Sequence, residues 1–166
     1  LRRRERLEIP FTIERDPVER ADSLMRGHTY YINTPMWRDR DGRSREGLRH
    51  VPVRVLGVMP GGDAVYPAAV LFSTTGTPAD TAMVMMSLGG DNAPRNFATL
   101  FSFKNPRDGY PHITDEVWDL IVHSKVQNGM TRDECRLALG APERTEQIPT
   151  TAGMVERWSY GEGIYL

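Results

Sequence analysis

One cysteine among 166 residues excludes an internal disulfide and any zinc site built on cysteine thiolates. Lysine is nearly as scarce. Lys104 and Lys125 are the only two, so arginine carries almost all the positive charge. No excess of one sign exists either: 21 basic and 22 acidic side chains give a net charge of −1. A sequence-independent nucleic-acid binder needs a basic surplus, so that class is set aside. No apolar run approaches the roughly 20 residues that a membrane-spanning helix requires. The chain also lacks a Gly-x-Ser-x-Gly elbow, a glycine-rich phosphate loop ending in Lys-Ser/Thr, and a His-Glu-x-x-His pair. What remains is a globular balance of 39% hydrophobic and 26% charged residues.

Charge is distributed unevenly. Residues 1–50 hold 12 basic and 9 acidic groups, while residues 51–166 hold 9 and 13. Arg2, Arg3, Arg4 and Arg6 form a basic arm. Asp16 and Pro17 then open a helix as N-cap and first helical residue, with Val18, Ala21, Leu24 and Met25 on one face and Gly27 ending it. The Thr-, Tyr- and Ile-rich stretch 28–33 reads as a strand. Residues 37–47 are charged and glycine-punctuated, which predicts a mobile loop.

From Val51 the pattern is β. Val51, Val53 and Val55 alternate with Pro52 and Arg54, and the phase slips at Leu56-Gly57, the mark of a bulge. Further strands are predicted over 68–73 and 82–88, between Pro/Gly/Asp/Asn turns. Short strands with no room for crossover helices predict a small antiparallel barrel or sandwich. Three prolines in 91–112 make that stretch a connector, with one helical turn near 96–101.

Helical periodicity returns at Thr114, an N-cap followed by Asp115 and Glu116, and again at Thr131-Arg132-Asp133-Glu134, a capping box. Gly140 and Pro142 end the second helix. Strands follow over 144–148 and 154–160, then a Gly161–Gly163 turn and a return strand from Ile164. The run from Gly129-Met130-Thr131 through Leu139-Gly140-Ala141-Pro142, followed by Trp158-Ser159-Tyr160, resembles the SmpA/OmlA (BamE-like) domain over about residues 112–166. The segment before Gly90 resembles small SH3-like bacterial envelope modules in strand number and spacing. The first resemblance implies two helices on a small antiparallel sheet, in an extracytoplasmic bacterial lipoprotein that scaffolds partners and touches lipid. It carries over no catalytic residue; Gly129, Gly140 and Pro142 are shape positions, and Trp158 and Tyr160 belong to the core or a sheet face.

The expected fold class is therefore α+β. Residues 1–26 form a basic arm and short helix, 27–92 a β-rich module, 93–111 a connector and 112–166 the BamE-like module. The chain starts at Leu1 rather than Met, which fits a removed export signal or lipoprotein leader and a periplasmic or outer-membrane-anchored location. The expected function is non-enzymatic: binding or scaffolding of a protein partner or the membrane surface. The rival is a cytoplasmic enzyme or accessory subunit with a cleft between modules, marked by a buried carboxylate or histidine cluster. The acids Asp115, Glu116 and Asp119 are explained by the helix dipole, and Cys135 by packing. His28 and His50 are placed facing each other on adjacent strands without a carboxylate, so no metal, cofactor or catalytic residue is assigned. Met83, Met85 and Met86 are read as a strand buried on both faces. Exposed aromatics and arginines dominate interfaces, so Tyr30, Trp37, Arg38 and Arg40 are the predicted partner-binding residues. The Ile164-Tyr165-Leu166 edge is a further template for self-association.

Overall fold

The structure, a computed structural model, describes residues 16–166. The arginine cluster at 2–6 lies outside the described residues. The architecture is α+β, with a seven-stranded antiparallel sheet, a second three-stranded sheet and four α-helices among the described residues.

Helix α1 (Pro17–Met25) begins as the sequence dictates: Asp16 accepts a hydrogen bond from the Val18 amide at 2.9 Å, and Pro17 fills a position that needs no donor. The large sheet contains β1 (Thr29–Ile32), β2 (Met36–Arg38), β3 (Ser44–Glu46), β4 (Val51–Pro60), β5 (Ala68–Ser73), β6 (Thr81–Met86) and β7 (Phe101–Ser102), in the order β3-β2-β6-β5-β4-β1-β7. Its curvature follows from chain length. Three strands stand between β1 and β2, yet only residues 33–35 connect them. In a flat sheet that gap is about 19 Å, at about 4.8 Å per strand. Four Cα steps reach at most about 14 Å. The sheet therefore curls around its own inner face.

That face carries the main core. Ile32, Val53, Val55, Val70, Phe72 and Val84 are almost fully buried, and Met25 of α1 with Leu100 and Phe101 closes the end. The predicted bulge is present: register slips between Val55 and Gly57, leaving Leu56 as the extra residue. A bulge strands backbone groups, and α1 satisfies them. Asp22 accepts from the Val58 amide at 2.7 Å, and Arg26 donates to the Leu56 carbonyl at 2.9 Å. The hydrogen bond from the Val58 amide is the main reason the Asp22 carboxyl sits below the ordinary carboxylate range.

Two expectations are corrected here. Residues 37–47 are not an unstructured loop but the β2–β3 hairpin. Asp39 accepts from the amides of Asp41 and Arg43, both at 2.9 Å, and Gly42 takes the left-handed turn conformation at φ 79°. Local turn chemistry outweighs the charged composition. The stretch 93–111 is more than a connector: after α2 (Phe97–Leu100), β7 adds to the sheet beside β1, pairing Ile32 with Phe101.

The remaining elements are α3 (Asp115–Val122), α4 (Arg132–Leu139), β8 (Arg144–Thr150), β9 (Gly153–Tyr160) and β10 (Ile164–Tyr165), the strands ordered β10-β9-β8. The capping box forms in full, and Gly140 ends α4 at φ 84°. Ile113, Trp118, Ile121 and Ala138 make a second small core. Arg136 lies 4.9 Å over the Trp158 ring, and the Tyr160 hydroxyl donates to the Gly140 carbonyl, so α4 sits against β9.

Arg49 and His50 join the two cores. The Arg49 amide donates to the Val122 carbonyl, and its guanidinium to the carbonyls of Asn33 and Leu139 and the Ser124 hydroxyl. Val122 and Leu139 are the last residues of α3 and α4, where carbonyls lack helical partners and a cation is favoured. His50, at φ 58°, places Nε2 2.9 Å from the Leu137 carbonyl oxygen.

Candidate functional site

The outer face of the large sheet is built by the residues that alternate with the core. Strand register sets its rows. Arg38, Met83, Leu71 and Gly57 stand side by side across β2, β6, β5 and β4, and Met85, Ala69 and Met59 form the next row. Leu56, pushed out by the bulge, adds a further apolar side chain. These residues floor a groove of about 520 Å³, with Arg38 and Arg40 on its wall. Met83 and Met85 are half-buried and Met59 is 47% exposed. Thioether side chains are flexible and polarizable, so this floor adapts to what lies on it.

The groove continues past Arg38 and Met85 into a hollow of about 410 Å³ between the β2–β3 hairpin and the Tyr66 loop, lined also by Met36, Arg45 and Arg95. The arginines around this face differ in commitment. Arg26 is paired with Asp22 at 2.9 Å and Arg45 with Asp80 at 3.4 Å. Arg40 donates to the Pro78 carbonyl and the Thr81 hydroxyl. Arg38 and Arg95 form no salt bridge among the described residues.

Of the four predicted partner-binding residues, Arg38 and Arg40 lie on this face. Tyr30 and Trp37 do not; both are core residues, 6% and 4% exposed. The reason is strand parity. With Arg38 pointing out, Trp37 must point in, where its ring meets Phe72 edge-on at 5.0 Å and its indole N–H donates to the Thr34 carbonyl. Gly47 is required beneath it, since a Cβ there would lie 2.1 Å from the indole. Tyr30 packs among Phe97, Phe101 and Phe103. The methionine reading is corrected as well: Met86 is buried, but Met83 and Met85 face outward. Their spacing of two was the available signal. Arg95, far along the chain, carried none.

The remaining candidates separate. His28 and His50 do not face each other: the antiparallel register puts His28 beside Val55 and His50 beside Ile32, at opposite ends of the β1–β4 ladder. The joint between the cores contains the lone His50, its Nδ1 buried without a partner, and no carboxylate bonds to Arg49 or His50 among the described residues. Burial holds the His50 imidazole below its usual pKa, with Arg49 acting the same way. No group of three or more His, Cys, Asp or Glu among the described residues could hold a metal ion. Burial and the neighbouring Glu134 push the Cys135 thiol up, away from thiolate reactivity. No helix among the described residues is long and apolar enough to cross a membrane. Comparison of the chain with family models, curated proteins and solved structures returned no match.

Proposed function

We propose that this chain is a non-enzymatic binding module of a bacterial cell envelope and that it docks a protein partner on the outer face of its curled sheet. The observation that carries the proposal is the groove floored by Leu56, Met59, Leu71, Met83 and Met85 and walled by Arg38 and Arg40. An adaptable apolar floor with arginines at its margin has the composition of an interface centre, and a rigid sheet displays it. The finer architecture belongs to the same reading: a small barrel-like N-terminal module, and a BamE-like C-terminal module of two helices on a small sheet. The capping box, the positive φ of Gly140 and the contact of Trp158 and Tyr160 with the end of α4 support the second module. The extracytoplasmic location rests on that resemblance.

The test of the main reading places a photo-crosslinking residue at Met83 or Met85 in native cells, with exposed Lys104 as control position, and then fractionates the cells. The expected result is a discrete protein adduct from the first two positions only, recovered in the envelope and protected from protease until the outer membrane is opened. Adducts at all three positions alike, or at none, overturn the docking face. Cytosolic recovery overturns the location.

A further inference from the structure

We propose that the hollow beside Arg38 is a carboxylate subsite, in which Arg38 and Arg95 take an acidic side chain of a bound peptide while its neighbouring apolar residue lies on Met36 and Met85. This rests on the docking face proposed above and names the chemistry of its occupant. The geometry singles out Arg95. It is half-buried, its Nε donates to the Met85 carbonyl at 3.0 Å, and its guanidinium lies 5.9 Å over the Tyr66 ring. It also holds φ 52°, a left-handed conformation that is unfavourable for a residue with a long side chain. A guanidinium drawn partly out of water is satisfied by a carboxylate or, as Arg49 is in this chain, by several oxygen acceptors. Among the described residues Arg95 has no carboxylate and one oxygen acceptor, the Met85 carbonyl, with the Met36 sulfur 3.9 Å from its guanidinium; burial lowers its pKa, and the charge of Arg38 acts in the same direction. The Arg38 side chain makes no hydrogen bond or salt bridge among the described residues, although its backbone sits in the sheet. Two arginines that converge on one hollow, one held in a costly conformation, leave an unmet demand for an anion. Their planar forks suit a carboxylate.

The surroundings favour a peptide over a membrane. Glu46 lines the same hollow, and Asp39 and Asp41 stand in the adjoining hairpin turn. With Arg40, Arg43 and Arg45 interleaved among them, these acids make a mixed-sign rim rather than the continuous basic surface that a membrane contact needs, whereas a single carboxylate on a side chain reaches Arg38 and Arg95. The apolar floor runs on without a break into the larger groove through Met85, so residues flanking the acid have somewhere to lie.

The test uses the whole chain with 15N-labelled arginine and follows the Nε–H signals by NMR. The probes are acetyl-Leu-Glu-Leu-amide, its Gln twin, inorganic phosphate and phosphatidylglycerol vesicles. The Glu peptide should shift Arg38 and Arg95 saturably, at least about tenfold more tightly than the Gln twin, and Arg38→Ala should weaken it by about tenfold. Arg38 is exposed, so that variant keeps the fold; an unchanged circular dichroism spectrum confirms it. Equal binding of the two peptides, or none, overturns the subsite. So does tighter binding of phosphate, which makes it a general anion site, or a response of these arginines to vesicles, which makes it a membrane contact. In cells, a Met83 adduct that survives Arg38→Ala at full yield overturns the subsite and keeps the docking face. Loss of every adduct at Met83 and Met85 in the unmutated chain overturns the face itself.

Discussion

Strands β5 and β6 present two faces from alternate residues of the same chain segments. Inward stand Ala68, Val70 and Phe72 with Ala82, Val84 and Met86; outward stand Ala69, Leu71 and Ser73 with Thr81, Met83 and Met85. The inner set is mostly branched, aromatic or small, so each side chain has few rotamers and packs in one way. The outer central pair, Met83 and Met85, has three rotatable bonds per side chain beyond the backbone. Burial alone does not separate the two sets, since Ala69, Ser73 and Thr81 are also buried. Stiffness does. One face fixes the shape of the sheet, and the other carries the adaptable side chains that the proposed docking face requires.

The sharpest way to break this comparison is to truncate neighbouring residues on opposite faces. Phe72→Ala removes a ring that is 0% exposed and packed against Trp37, and should cost about 3–5 kcal/mol by urea denaturation. Leu71→Ala, one residue away and half-buried, should cost under about 1.5 kcal/mol. Equal losses would mean that both faces are core and that the groove is a packing defect.

Next in size is the joint. Arg49→Met keeps the aliphatic stem but leaves the carbonyls of Asn33 and Leu139 and the Ser124 hydroxyl without their donor. Partly buried groups stranded in this way cost about 1–3 kcal/mol in total. Because Arg49 ties α3 and α4 to the sheet, the loss should fall mainly on the C-terminal half. Hydrogen exchange should then show α3 and α4 losing protection while β4–β6 keep theirs. Uniform loss would mean that the two cores unfold as one.

A smaller effect at the same joint is set by pH. His50 is held neutral by burial, so its pKa in the folded chain is lower than in the unfolded chain. The unfolded chain therefore binds the proton first. The stabilisation is complete above the unfolded value of about 6.5 and is lost as pH falls below it toward the folded value. Denaturation midpoints should drop between about pH 7 and pH 5. His50→Asn, which tolerates the positive φ, should flatten that slope. An unchanged slope would assign the acid sensitivity to other groups.

Legibility in the sequence followed the range of the interactions. Caps, the capping box, the bulge at Leu56-Gly57 and the turn glycines are encoded within a few residues and stood where the sequence placed them. The β2–β3 hairpin was hidden because its turn is made by Asp39 rather than by a glycine pair, and because charged side chains masked the alternation of Met36, Trp37 and Arg38. Of the four residues named from the sequence, Arg38 and Arg40 stand at the outer groove, whereas Tyr30 and Trp37 stand in the core. Composition marks arginine and aromatic residues together, whereas strand parity sends them to opposite faces. Arg95 was beyond reach because nothing local brings it beside Arg38. The fold does so, through the pairing of β2 with β6 and the turn that follows β6.

The smallest expected change in stability tests the comparison most directly. Met83 lies mid-strand on the outer face, between Arg38 and Leu71, and is half-buried. If the outer face is an interaction surface, Met83→Gln should leave stability within about 0.5 kcal/mol, since the amide can stay solvated at the groove. The same change should abolish the crosslink from a probe at Met85, because a polar group at the centre of an apolar contact is desolvated when the partner arrives. Val84→Gln, the adjacent residue on the inner face and 0% exposed, should do the reverse, destabilising by several kcal/mol through a buried amide without partners. A pair of neighbouring substitutions that separates stability from binding in this way assigns each face its role. A pair that affects both properties together returns Met83 to the core.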